Sequence, residues 1–149
     1  MEVRKWNTRL ALLSACILPL TAQALGNTPE QNYILKCAGC HTMQGGGSVA
    51  GGIPPLPGYL GTFMADKQGR VYLMNVPGVA SSGLSHQELA SLMNYLNEKW
   101  GEPSKTKPYT TAEVDNILKK PLADVVKYRR AIVARFDKQG IATGSYPWP

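Results

Sequence analysis

The chain has 149 residues, a formal net charge of +6, 44% hydrophobic residues and 17% charged residues. This length accommodates one domain of ordinary size with at most an appendage, and it excludes a multi-domain enzyme. Fifteen glycines and eleven prolines indicate many loops, but the hydrophobic fraction is too high for a wholly disordered chain. Three cysteines are too few for a disulfide framework, so another chemistry must account for them.

Residues 1–24 have the pattern of a cleaved signal peptide. Basic residues precede an apolar run over residues 10–20, and Ala22 and Ala24 provide the small residues that a signal peptidase requires. The run has 11 residues, well short of the roughly 20 that a membrane-spanning helix needs. We therefore expect export to the periplasm, with Leu25 as the first mature residue. An exported protein is not expected to bind nucleic acid.

A second kind of processing fits the same segment. The stretch Leu13-Ser14-Ala15-Cys16 resembles the lipobox of bacterial lipoproteins. Cleavage before Cys16 would leave a lipidated cysteine and hence a membrane-tethered protein. Both alternatives predict export, and they differ only in the position of the mature N-terminus.

The next element is a helix that leads into a cysteine motif. Residues 27–30 (NTPE) combine a capping residue with a proline in the first turn, and residues 33–37 continue the helix. The motif that follows is C-x-x-C-H, formed by Cys37, Cys40 and His41. Two thiols at this spacing on a helical turn can form thioether bonds to the two vinyl groups of one haem, and the histidine can then bind the iron.

Two other functions of such a motif are disfavoured. A thioredoxin-type redox pair would require a preceding strand and a βαβ pattern, which the sequence lacks. A zinc site would require further thiols or imidazoles, and the mature chain offers only His86 in addition to the motif. The motif therefore predicts one covalently attached haem c, held by Cys37 and Cys40, with His41 as the proximal iron ligand.

The stretch up to residue 100 ends in a second well-defined helix, Ser85–Trp100. Ser85 and Glu88 have the spacing of a capping box. Apolar residues then recur at helical intervals and predict one buried stripe. The stripe consists of Leu89, Leu92, Met93, Leu96 and Trp100.

With these features the chain resembles the class I, or mitochondrial-type, c-type cytochromes over about residues 27–100. The resemblance rests on the helix that runs into CAGCH, the Gly/Pro-rich loop Gly45–Gly61 and the closing helix Ser85–Trp100. It implies an all-α fold, a haem domain over residues 25–100 and electron transfer rather than enzymatic activity. It also implies that Tyr95, in the stretch LMNYL, packs where the first and last helices cross. A proline is expected on the proximal side of the haem, and the candidates are Pro54, Pro55 and Pro57.

The family's second iron ligand is usually a methionine from a loop before the last helix. The corresponding loop here, Pro77–Leu84, contains no methionine. Met74 is nearest to that region and is our first candidate for the distal ligand, followed by Met64 and then His86. An open or water-bound site is the remaining alternative. Met43 lies too close to the proximal histidine, and Met93 belongs to the apolar stripe, so neither is preferred.

Residues 101–149 form a C-terminal extension with a distinct charge. They carry nine basic and five acidic groups, whereas residues 25–100 carry four of each. A linker over 102–108 precedes a helix capped by Thr110 or Thr111, and a break near Pro121 precedes a basic amphipathic helix over 122–136. An aromatic tail over 140–149 completes the chain. The extension either covers the haem domain or docks to a redox partner or membrane.

Together these observations predict a periplasmic carrier of single electrons with one haem and its iron. It would receive electrons from a periplasmic dehydrogenase and pass them toward an oxidase or another cytochrome. Two alternatives remain open from the sequence. One is a haem sensor or peroxidase-like protein with an open distal site. The other is a tethered electron-transfer subunit of a larger oxidoreductase, docked by residues 101–149.

Overall fold

The structure is a computed structural model that describes residues 26–144. The predicted signal peptide, Cys16 and the last five residues of the aromatic tail lie outside the described residues. The described part is helical and contains no β-strand, which confirms the all-α prediction, and one isolated β-bridge joins Ser48 to Ile53. None of these helices is long and apolar enough to cross a membrane.

Eight α-helices and one short 3₁₀ helix follow one another within residues 26–144. The helices of residues 26–100 are α1 (Pro29–Lys36), α2 (Ala38–His41), α3 (Leu60–Ala65), α4 (Lys67–Asn75), α5 (Pro77–Ala80) and α6 (His86–Trp100). After them come a 3₁₀ turn (Pro103–Lys105), α7 (Thr111–Leu118) and α8 (Val125–Lys138).

Helices α1 and α6 begin with the capping residues that the sequence predicts. The Thr28 side chain accepts a hydrogen bond from the backbone of Gln31, whose side chain accepts one in return, and Ser85 and Glu88 form the same box. Each box satisfies two backbone N–H groups that have no partner within the helix.

The first and last helices of residues 26–100 contact each other through aromatic side chains. The Tyr33 and Trp100 rings meet edge to face with centroids 5.1 Å apart. The Tyr95 hydroxyl donates to Glu30 Oε1 at 3.3 Å, so Tyr95 does lie where α6 meets α1. The buried face of α6 matches the predicted stripe, with Leu89, Leu92, Met93 and Leu96 each at most 5% exposed.

Helix α5 occupies part of the segment for which the sequence predicts a loop. Pro77 starts this single turn because its fixed φ suits a first helical position. The turn ends at Ala80, and Gly83 then takes a φ of 74°, which glycine adopts without strain. The segment Pro77–Leu84 is therefore short and compact, and it leads directly into α6.

The extension packs against the preceding helices. Phe63 and Tyr72 from α3 and α4 form a buried cluster with Ile132 and Phe136 of α8. The predicted helix over 122–136 begins three residues later, at Val125, because Asp124 caps it by accepting from the Lys127 N–H at 2.8 Å. The Leu122 N–H is instead bound by Asn75 Oδ1 at 2.9 Å.

Candidate haem site

A cavity of roughly 460 Å³ lies between the helices of residues 26–100 and α8. Its volume falls in the range that proteins use for cofactors. Most of its wall is apolar, and the wall includes residues of α4, α5, α6 and the loop over 52–56. The apolar side chains from these elements include Ile53, Leu56, Leu73, Val76, Val79, Leu92, Met93 and Leu96.

The three residues of the cysteine motif lie together in this wall. Cys37 precedes α2, and its carbonyl oxygen accepts hydrogen bonds from the N–H groups of Cys40 and His41 at 3.1 and 2.9 Å. This single turn brings both thiols and the imidazole to one cavity, and the two cysteines are not bonded to each other. Cys37 is half-buried, whereas Cys40 is exposed at the molecular surface.

The electrostatics of Cys37 do not fit a thioredoxin-type redox pair. Burial, and to a smaller extent the neighbouring Cys40, raises the pKa of the Cys37 thiol. A cysteine that attacks disulfides needs a lowered pKa, because the thiolate is the nucleophile. A thioether sulfur has no proton to lose, so a raised pKa of the free thiol is compatible with covalent attachment.

His41 has the properties of an iron ligand. Burial lowers the pKa of its imidazole, and the nearby backbone of Pro54 opposes this effect only in part. The ring is therefore kept neutral, which is the form that binds metals. Its Nδ1 atom is fully buried and forms no hydrogen bond of normal geometry. Pro54 is thus the predicted proline that lies next to the imidazole, while Pro55 also lines the cavity and Pro57 is exposed.

The residues of the cavity wall can be matched to the parts of a covalently bound haem. The wall supplies two thiols at one edge, a neutral imidazole that lacks a full set of partners, and a large apolar surface. Each is what the macrocycle requires: thioether partners, a nitrogen ligand and protection from water. The residues fit the group.

None of the three distal candidates from the sequence lines the cavity. Met74 is 0% exposed and packs in the core with Tyr109 and Val114. The reason is the register of α4: Tyr72 and Leu73 line the cavity, as does Val76 directly after the helix, whereas Met74 lies on a different face of α4. The assignment of Met74 as the distal ligand therefore stays a prediction from the sequence. The lining of the cavity does not support it.

The other two candidates lie elsewhere too. Met64 is 1% exposed and belongs to the same core as Met74. His86 lies beside Asp115 of α7, with Nδ1 and Oδ1 3.3 Å apart. Of the four methionines in the described residues, Met93 alone lines the cavity, and it does so from α6.

The sequence left open whether the extension covers the haem domain, and it did not indicate which residues of the extension would reach this site. Val125, Val126 and Arg129 of α8 line the cavity, and so does Gly144 beyond it. The apolar residues of the helix over 122–136 predicted an amphipathic helix, with the haem domain as one of the two surfaces that the extension could contact. Arg129 is the unexpected member, because it is 7% exposed although arginine is rarely buried.

Comparison with known proteins agrees with the site. No family model matches the chain. The chain is 32% identical over 126 residues to a cytochrome c-552 of Thermus thermophilus, an alignment that covers 70% of this chain and 84% of that protein. It is 33% identical over 108 residues to another Thermus thermophilus cytochrome c-552, covering 58% of this chain and 82% of the relative.

This similarity is high enough, and extends over enough of the relatives, to assign the family. It follows that the predictions of haem c with its iron, and of electron transfer rather than enzymatic activity, are confirmed. The helical fold, the cavity and the similarity to cytochrome c-552 together show that the chain belongs to the c-type cytochromes.

Proposed function

We propose that this cytochrome carries single electrons in the periplasm, from a dehydrogenase toward an oxidase or another cytochrome. The observation that carries the proposal is the position of the motif. Cys37 and His41 line a largely apolar cavity, while Cys40 is exposed at the surface. A haem bonded there would have one edge close to solvent, which suits electron transfer through a small and transient contact.

The residues of the motif have distinct roles in this proposal. Cys37 and Cys40 would form the two thioether bonds, and His41 would bind the iron. The haem supplies the iron that changes between Fe(II) and Fe(III). The apolar wall excludes water, and this lowers the local dielectric and influences the reduction potential. Cys37 directly precedes α2, and Cys40 and His41 lie in it, so a single helical turn positions all three residues.

Haem attachment can be tested by expressing the full chain in a host that exports and matures c-type cytochromes. Denaturing gels stained for haem should show a band for the wild-type protein and none for the Cys37→Ser, Cys40→Ser double variant. Cys16→Ser is the matched control, because it removes a thiol outside the motif and should keep the stain. An unstained wild-type protein, or a stained double variant, would contradict the proposed attachment.

The cellular location of the protein can be tested in the same expression host. Release of the wild-type protein by osmotic shock supports a periplasmic protein that is cleaved after Ala24. Retention in the membrane fraction, lost in Cys16→Ser, would instead support the lipidated and tethered form.

The basic extension supports a partner with an acidic surface. Lys127 and Arg130 are exposed on α8, the helix that also lines the cavity. Positive groups near the haem attract anionic partners, and salt weakens the attraction. The rate of oxidation by ferricyanide should fall with ionic strength, and Lys127→Glu with Arg130→Glu should lower it at low salt. Lys67→Glu on α4 changes the net charge by the same amount as Lys127→Glu alone and is the charge-matched control for that single variant.

A second candidate function is a haem sensor with an open distal position. It is favoured by one observation: Met74, Met64 and His86 all lie outside the lining of the cavity. Carbon monoxide added to the reduced holoprotein distinguishes the two. An unchanged spectrum supports a six-coordinate carrier, whereas a shifted spectrum supports an open site.

A further inference from the structure

The residue directly after the cysteine motif has an unusual backbone conformation. Thr42, which follows His41, has a φ of 62° and a ψ of 168°. This region is essentially restricted to glycine, and threonine is branched at Cβ, so the conformation is strained. Within residues 26–144, Thr42 is the one residue other than glycine that has a positive φ. The contacts around Thr42 must therefore hold it in place.

Hydrogen bonds from two parts of the chain hold Thr42. Its carbonyl oxygen accepts from the Tyr33 hydroxyl at 2.5 Å and from the Gly45 N–H at 3.3 Å, and its Oγ1 accepts from the Gly46 N–H at 3.2 Å. The two glycines belong to the same loop as Thr42 and move with it. The bond from Tyr33 comes from α1, so it is the one of these three that anchors Thr42 to a neighbouring helix.

Tyr33 is well placed to act as such an anchor. It is 1% exposed, and its ring meets Trp100 of α6 edge to face. Burial raises the pKa of its phenol to about 12, so the hydroxyl keeps its proton and remains a donor at neutral pH. The backbone carbonyl of Tyr33 also accepts from the Cys37 N–H at 2.9 Å. One residue thus binds the chain at the start of the motif and directly after its end.

These bonds enclose His41. Its N–H donates to the Cys37 carbonyl oxygen at 2.9 Å, and its carbonyl oxygen accepts from the Gly47 N–H at 3.0 Å. The bond from Tyr33 then fixes the following residue. Groups outside the set of metal ligands orient a ligating ring and thereby tune the metal. The direction of the imidazole depends on the backbone that carries it, so this backbone is a means of setting that direction.

We propose that the Tyr33 hydroxyl is a positioning group for the His41 imidazole, and that it acts by holding the backbone of Thr42. This inference rests on the proposed role of His41 as the iron ligand. The sequence alone did not indicate the contact, because it joins α1 to a residue nine positions further along the chain, beyond the turn of α2.

The test uses the purified full-length holoprotein in the ferric state with a saturating concentration of cyanide. Cyanide occupies the distal position and is symmetric about its own axis. The spread of the four haem methyl shifts in the proton NMR spectrum then reports the orientation of the proximal imidazole. Tyr33→Phe removes the hydroxyl and keeps the ring against Trp100. It should change this spread, and it should shift the reduction potential of the cyanide-free protein.

Tyr95→Phe is the matched control. It removes a hydroxyl at the same contact between α1 and α6, but this hydroxyl donates to Glu30 rather than to the segment after the motif. The methyl shifts of Tyr95→Phe should therefore equal those of the wild type. A lower urea midpoint of Tyr33→Phe with unchanged methyl shifts would show a purely structural hydrogen bond and would overturn the proposal.

Thr42→Gly tests whether the hydroxyl acts through Thr42. Glycine adopts a φ near 62° without strain, so this backbone needs less support from Tyr33. Removal of the Tyr33 hydroxyl should then change the methyl shifts less in Thr42→Gly than in the wild type. Equal changes in the two backgrounds would overturn the proposed action through Thr42.

The outcomes separate this proposal from the one on which it rests. A wild-type protein without covalent haem on a stained gel would refute the attachment through Cys37 and Cys40. A wild-type spectrum without the proton signals of an iron-bound imidazole would refute His41 as the ligand. A normally stained Tyr33→Phe protein with wild-type methyl shifts would refute the role of Tyr33 alone.

Discussion

The side-chain amide of Asn94 forms two hydrogen bonds with the backbone of Tyr109. Asn94 Nδ2 donates to the Tyr109 carbonyl oxygen at 3.0 Å, and Asn94 Oδ1 accepts from the Tyr109 N–H at 2.7 Å. Arg70 lies over the Tyr109 ring, with its central guanidinium carbon 3.6 Å from the ring centre. These contacts fix the start of the extension to α6 and α4, before the chain continues to α8 and the haem cavity.

Removal of the Asn94 amide should therefore destabilise the protein. Asn94→Ala leaves a part-buried N–H and carbonyl of Tyr109 without these partners, and we expect a loss of about 1–3 kcal/mol in the free energy of unfolding. Urea unfolding of the holoprotein, followed by helical circular dichroism, measures it. Asn116→Ala on the exposed face of α7 is the control and should have little effect. Equal stability of the two variants would contradict the prediction.

The ion pair between Arg70 and Glu113 should contribute to the free energy of unfolding by an amount similar to that of the Asn94 hydrogen bonds. Arg70 Nε and Nη2 donate to the two carboxylate oxygens of Glu113, each at 2.6 Å, and the Arg70 side chain is only 11% exposed. Glu113→Ala leaves this guanidinium without its carboxylate, and we expect a loss of about 1.5–3 kcal/mol. The denaturant midpoint of Glu113→Ala should be measured beside that of Glu98→Ala, which removes an exposed glutamate of α6. An effect no larger than that of Glu98→Ala would show that the pair adds no net stability.

Stability should fall in acid partly because of Asp66. Partial burial acts to raise the pKa of this carboxyl, but hydrogen bonds from Arg135 and the Gly69 N–H outweigh it, so the pKa lies below its usual value of 3.8. A lowered pKa in the folded state stabilises the protein above the unfolded value, and this stabilisation is lost as the pH falls from about 4 through the folded pKa. Asp66→Asn should therefore be less stable than wild type at neutral pH.

The contribution of Asp66 can be recognised from the way in which the stability difference between wild type and Asp66→Asn depends on pH. Urea midpoints of wild type and Asp66→Asn should converge as the pH is lowered below about 4. Asp137→Asn, on the exposed side of α8, should follow the wild-type curve. A constant difference between Asp66→Asn and wild type across this range would contradict the proposed titration.

Close packing of α3 and α4 should make Gly69 irreplaceable. A Cβ atom at this position would lie 2.2 Å from the Phe63 carbonyl oxygen, which is backbone and cannot rotate away. Gly69→Ala should thus destabilise the protein by about 1–3 kcal/mol, although alanine is the better helix former. Gly46→Ala is the control, since its Cβ would meet only the Thr42 hydroxyl oxygen at 3.6 Å. Thermal unfolding compares the two, and similar melting temperatures would refute the packing argument.

Methionine substitutions test the distal side of the haem. Met74→Leu should leave the optical spectrum of the oxidised holoprotein unchanged, because Met74 does not line the cavity. Met93→Leu alters the wall itself and should change the haem spectrum. Loss of the far-red band typical of methionine-ligated ferric haem in Met74→Leu would contradict this expectation. It would support Met74 as the iron ligand, as the sequence predicts.

Local sequence patterns were sufficient to predict the cysteine motif, the starts of two helices and the buried face of α6. The C-x-x-C-H motif, the capping boxes at Thr28 and Ser85, and the apolar stripe of α6 each depend on residues within one or two helical turns. Such short-range relations follow from the geometry of one helix, so they can be read without knowing the neighbouring elements. The start of α8 was placed three residues too early, because Asp124 caps the helix and the Leu122 N–H binds Asn75, 47 positions away in the chain.

The sequence by itself thus determined the helical fold and the chemistry of haem attachment. Tertiary structure decided which side chains face the haem cavity. Met74 and Arg129 show the difference: the methionine near the family's ligand region packs into the core, and an arginine of the basic extension enters the cavity wall. The register of α4 and the packing of α8 against it decide both placements. They depend on contacts between distant parts of the chain, and no local periodicity encodes them.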